Sequence, residues 1–202
     1  MPYGTQYDIF NDLTDLEQMV RALPNYLRGN QLYGSIGGGF FTGGNAPSLT
    51  VGAILLRMRR IEALTAHLSD RTRQSFATTK TEHQAIYTKQ STLYQQWMLR
   101  EASSRLDAMT TFFEECRQSG ENCPRIYPPE VLRRTIVQEI CNALTEFGVQ
   151  SAELTTKANG IDRRLRGMLR PTAFVWDAQL EPVYPATSFW WMYMAPPDNR
   201  RD

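Results

Sequence analysis

The sequence predicts a mainly α-helical protein, a single-domain bundle of about five helices, one of them long, with a Gly-rich N-terminal arm and an extended aromatic C-terminal strap. Three observations carry this. No Gly or Pro occurs between Ala53 and Ser119, and so long a breaker-free stretch does not suit short, turn-linked strands. Apolar residues recur at spacings of three and four through most of the chain. Two segments do not read as helix, the Gly-rich Gly34 to Pro47 and the Pro-rich Pro171 to Asp202.

The segments follow in order: a helix and Gly-rich loop over 1–49, a helical core over 50–170, and a strap over 171–202 packed on that core. Near the N-terminus, Thr14-Asp15-Leu16-Glu17 fits a capping box, and Leu13, Leu16, Val20, Leu23 and Leu27 predict a short helix bent at Pro24. Ser48 or Thr50 is placed to cap the next helix, whose face is Val51, Ile54, Leu55, Met58, Ile61, Leu64 and Leu68. A second stripe follows: Tyr87, Tyr94, Met98, Ala102, Leu106, Met109, Phe113 and Cys116, flanked by Ile86, Leu93 and Trp97. The join between them falls at Ser69-Asp70 or within Thr78 to Thr81, where Thr79 and Glu82 fit a capping box; the second position is preferred. A helix from about Thr81 to Gln118 would be roughly 57 Å long.

Past Gly120 and Pro124, Pro128-Pro129-Glu130 suits a first helical turn, with Val131, Leu132, Ile136, Ile140, Leu144 and Phe147 as its apolar face and Gly148 as its stop. The last helix, from Gln150 to about Leu169, carries Leu154, Ala158, Ile161, Leu165 and Met168. Basic residues near its end complement the helix dipole, and Pro171 terminates it.

Composition bounds the function classes. With 22 Lys and Arg against 21 Asp and Glu in 202 residues, no global charge excess draws the chain to nucleic acid or an anionic membrane. The N-terminus lacks the pattern of a secretory signal, and the longest aliphatic run, Ala53 to Leu56, is far short of a membrane span, so a cytoplasmic protein is expected. Cys116, Cys123 and Cys141 are an odd number and none forms a CxxC pair, so reduced thiols are expected.

No motif specifies an activity. Gly38 to Gly43 has the gap of a P-loop, but Gly44 and Asn45 stand where Lys and Ser or Thr are required, and Thr42 replaces the last glycine of GxGxxG. The two histidines, His67 and His83, belong to no metal motif, and no serine lies in a nucleophile elbow. The local pattern therefore indicates no catalytic residue, metal ligand or cofactor. Glu114-Glu115 is odd, because acid near a helix C-terminus is disfavoured by the dipole.

Two groups remain as candidate surfaces. Arg57, Arg59 and Arg60, with Arg163, Arg164 and Arg166, would make a composite anion contact if the fold joins them. Phe189, Trp190, Trp191, Tyr193 and Met194 form a dense aromatic group, of the residue types that dominate interfaces; the competing expectation is that they complete the protein's own core. The leading functional expectation is a non-enzymatic interaction or scaffolding module that binds a protein partner or itself as a homo-oligomer. The alternative is a phosphate- or nucleic-acid-binding protein using the arginines, and the third is an enzyme whose site is assembled from dispersed residues.

Overall fold

The computed structural model describes residues 6–36 and 48–197 and is mainly α-helical, with six α-helices and four two-residue strands among the described residues. Most of the Gly-rich loop, 37–47, lies outside them. The chain divides into two compact units, Asp8–Glu101 and Met1–Tyr7 with Ala102–Asp202, the division falling inside one helix. Among the described residues no helix is long and apolar enough to cross a membrane.

In the unit Asp8–Glu101, α1 runs over Ile9–Arg28, so it starts earlier than a capping box at Thr14 implies. Asp8 is the cap, its carboxylate accepting the Phe10 N–H at 2.8 Å, while Thr14 instead donates to the Phe10 carbonyl inside the helix. The antiparallel strands β1 (Gly34–Ser35) and β2 (Ser48–Leu49) follow, and then α2 over Val51–Ala63, where the Thr50 hydroxyl accepts the Ala53 N–H.

The join after α2 lies at Ser69-Asp70 rather than at the preferred Thr78 to Thr81. The Ser69 hydroxyl accepts the Thr72 N–H and starts α3 (Asp70–Lys89), whereas Thr79 donates to the Ser75 carbonyl in mid-helix and caps nothing. A second break at Gln90 separates α3 from α4 (Ser91–Gln118). The long helix is therefore 28 residues, about 42 Å at the usual rise, and not roughly 57 Å.

The core of this unit holds Leu16, Leu23, Leu27, Ile54, Ile61, Tyr94 and Met98, all fully buried. Several polar groups are buried with them, each with a partner. Trp97 Nε1 donates to the Leu27 carbonyl at 2.9 Å, and the Glu101 carboxylate accepts the Gly52 N–H at 2.8 Å, an acid at the positive end of α2. His83 Nε2 lies 2.7 Å from the Tyr94 hydroxyl, and burial lowers its pKa to about 4, so the ring is neutral near pH 7.

The other unit contains the second half of α4, α5 (Cys123–Glu146), α6 (Ala152–Met168) and the strap. α5 starts at Cys123, ahead of Pro128; Pro128 and Pro129 lie inside it and each removes one backbone donor. Gly148 takes φ of 69°, the left-handed conformation that favours glycine, and the Val149 N–H returns to the Leu144 carbonyl at 2.8 Å, which closes α5 as expected. Leu132, assigned to the apolar face of this helix, is exposed. Ser151 caps α6 by accepting the Leu154 N–H.

The strap is more folded than an extended chain. Asp177 accepts the Gln179 N–H to start a 3-10 turn over Ala178–Val183, a second turn spans Trp190–Tyr193, and β4 (Met194–Ala195) returns to pair with β3 (Arg170–Pro171). Tyr184, Phe189, Trp191 and Met192 are fully buried, with Phe189 edge-on to both Tyr184 and Trp191. Trp191 Nε1 donates to Thr135 at 3.0 Å, Tyr127 donates to the Trp191 carbonyl at 2.8 Å, and the Arg134 guanidinium lies 4.0 Å from the Trp191 ring. The same guanidinium donates to both carboxylate oxygens of Asp162 on α6, at 2.7 and 2.9 Å.

Arg134→Lys keeps the charge but loses the paired donors and the planar stack, so it is expected to cost about 2 kcal/mol in urea unfolding. Arg71→Lys, at an exposed position of α3, should change stability by less than about 0.5 kcal/mol.

Candidate functional site

The arginines divide by environment. On α2, Arg57 donates to Asp15 at 3.0 Å and lies 3.4 Å from Asp12, and Arg60 lies 3.4 Å from the other oxygen of Asp12. Asp12 and Asp15 belong to α1, so two of the three α2 arginines hold helix to helix; Arg59 is half-buried and partnered. On α6, Arg163, Arg164 and Arg166 are exposed. Arg166 lies 3.9 Å from the Trp190 ring and Arg164 lies 4.1 Å from the Phe113 ring, both within cation–π range.

Of the aromatic group, Phe189 and Trp191 are inside the core, and Trp190, Tyr193 and Met194 are half-buried. A partner on this side would therefore meet the last three.

Arg164 opens onto a cleft of about 440 Å³ lined by Phe113, Cys116, Arg117, Gly120, Cys123, Met168, Pro196 and Pro197. Arg164 and Met168 are one helical turn apart, which puts both on one face of α6. Phe113, Cys116 and Arg117 come from the last turns of α4, and Cys123 is the first residue of α5. The cleft thus combines apolar residues, Phe113, Met168 and the two prolines, with the cations Arg117 and Arg164.

Glu114 lies between the cations: Arg117 Nε donates to one carboxylate oxygen at 3.0 Å, and Arg164 lies 3.6 Å from the other. This explains an acid near the C-terminus of α4, where the dipole alone disfavours it. Two guanidinium groups against one carboxylate leave this cluster net positive.

Cys116 and Cys123 are joined by a disulfide, contrary to the expectation of reduced thiols. The turn from α4 into α5, through a 3-10 turn at Gly120–Asn122, brings their Cα atoms to 4.9 Å. A spacing of seven matches no local motif, so the sequence carried no sign of it. Cys141 is free and half-buried, and burial raises its thiol pKa.

Sequence reasoning also missed Glu130 on α5. It is 3% exposed, ion-paired with Arg133, and its Oε2 has no hydrogen-bond partner. Burial pushes its pKa up to about 7, with Arg133 pulling it down and Glu115 adding to the rise. Among the described residues no group of three His, Cys, Asp or Glu is placed to hold a metal ion.

Because the folded-state pKa of Glu130 exceeds its unfolded value, its stabilising contribution is complete below about pH 4.5 and is lost as pH rises through about 7. Glu130→Gln should flatten the stability profile across that window and raise stability at pH 8 by about 1–2 kcal/mol, measured by urea unfolding at several pH values. A profile identical to the parent's would contradict the assignment. Replacing Cys116 and Cys123 together by Ser should cost about 2–3 kcal/mol, the chain-entropy value for so short a loop, read in the same assay.

No family model, no curated protein and no solved structure matches the chain.

Proposed function

We propose that the chain is a non-enzymatic helical interaction module whose α4–α5–α6 cleft takes an acidic segment of a protein partner bearing an apolar side chain. The observation that carries this reading is the pairing of chemistries in one cleft: Arg164 stacked on Phe113, with Met168 and Pro196 beside it. A buried apolar contact supplies affinity, and a guanidinium fixes a carboxylate through directed donors. The volume of about 440 Å³ suits a few side chains rather than a folded surface.

Charge favours an acidic occupant, since Arg117 and Arg164 face the single carboxylate of Glu114. A phosphate- or nucleic-acid-binding reading has less support, because Arg57 and Arg60 already hold Asp12 and Asp15. A cytoplasmic setting and self-association belong to the same proposal.

The test is fluorescence anisotropy of the full chain with labelled peptides that alternate Glu with Leu or Phe, against versions with Gln in place of Glu. The acidic set should bind, weaken with added salt, and bind about tenfold more weakly to Arg164→Ala, while Arg71→Ala leaves binding unchanged. Equal binding of acidic and neutral peptides, or no effect of Arg164→Ala, would reject the reading. A dimer that the acidic peptide dissociates would reassign the occupant to a second copy of the chain.

A further inference from the structure

We propose that Cys116–Cys123 is an exchangeable disulfide, opened by a small carboxylate-bearing thiol that attacks Cys116 Sγ and releases Cys123 as the leaving thiolate. This holds whether or not the cleft binds a peptide.

The two sulfurs are not equivalent. Both line the cleft, but Cys116 is half-buried whereas Cys123 is 5% exposed. Exchange requires a thiolate to reach one sulfur, and of the two beside the cleft Cys116 is the more exposed. Cys123 is the first residue of the 24-residue helix α5, where the positive end of the dipole favours an anion, although the Cys123 N–H is taken by the Gly120 carbonyl and Pro124 has none. A stabilised thiolate leaves faster, so approach and departure favour the same direction. Arg117 and Arg164, only partly offset by Glu114, attract an anionic thiol into the cleft.

The chemistry balances with two equivalents of thiol. The first thiolate forms a bond to Cys116 Sγ as the Cys116–Cys123 bond breaks, and the electron pair stays on Cys123. The second thiolate attacks the sulfur of the bound thiol, releasing Cys116 as a thiolate and forming the external disulfide. Cys116 and Cys123 are reduced, the two external thiols are oxidised, and solvent supplies the protons that the protein thiolates take up.

Reduced glutathione is the probe. The folded full chain is incubated with it, quenched in acid, alkylated, and analysed cysteine by cysteine by mass spectrometry. The disulfide should open without denaturant. Of the mixed disulfides trapped in the parent, those with glutathione on Cys116 and a free Cys123 should outnumber the reverse about tenfold. Removing both Arg117 and Arg164 as alanines should slow glutathione severalfold while changing the rate of neutral mercaptoethanol little. A bond that opens only in guanidinium, glutathione found equally on the two cysteines of the parent, or Cys116 and Cys123 alkylating before any reductant is added would each overturn the proposal. The adducts and opening rates in the parent need no cysteine substitution, so they decide the matter even if an arginine variant fails to fold.

Discussion

The guanidinium of Arg134 sits where three elements of its unit meet. It grows from α5, takes both oxygens of Asp162 on α6, and covers the ring of Trp191 in the strap. Burying this charge is unfavourable unless a carboxylate and good geometry accompany it. That requirement fixes the registers of α5, α6 and the strap together. Thr135 and Tyr127, on the same helix, then satisfy the indole N–H and the carbonyl of Trp191, so this large buried side chain is held at its edge, its face and its backbone.

The unit Asp8–Glu101 meets the same difficulty with different residues. Glu101 is wholly buried yet accepts from the start of α2, and His83 is kept neutral against Tyr94. Asp12 and Asp15 on α1 occupy the guanidinium groups of Arg57 and Arg60 on α2. A run that reads as a basic patch in one dimension is, in three, half of an ion-pair network. Arg164 and Arg166 on α6 differ because aromatic rings lie beside them, with Arg164 also 3.6 Å from Glu114.

The cleft follows from how α4 ends. A tight turn into α5 sets Cys116 beside Cys123 and points Phe113, Glu114 and Arg117 toward α6. One short connection therefore produces an apolar wall, a charged rim and a sulfur–sulfur bond that shares their space.

Helix identity was legible in the sequence wherever packing is periodic: Val51, Ile54 and Ile61, then Tyr94, Met98, Leu106 and Met109, are buried as their spacing predicts. Gly148 and Thr50 act as the stop and the cap that their chemistry implies. Helix starts were less legible, because several residues near each end are able to cap and the backbone chooses one: Asp8 over Thr14, and Ser69 over Thr79. The candidate site was barely legible. Arg164 was singled out, but Phe113, Arg117, Met168 and the disulfide come together across three helices at spacings that no local pattern marks. The sequence determined which faces are apolar and that the chain is helical, since those depend on neighbours three and four residues away. Only the tertiary structure decided which charges neutralise one another, which aromatics are core, and which cysteines meet, since each depends on groups distant in the chain.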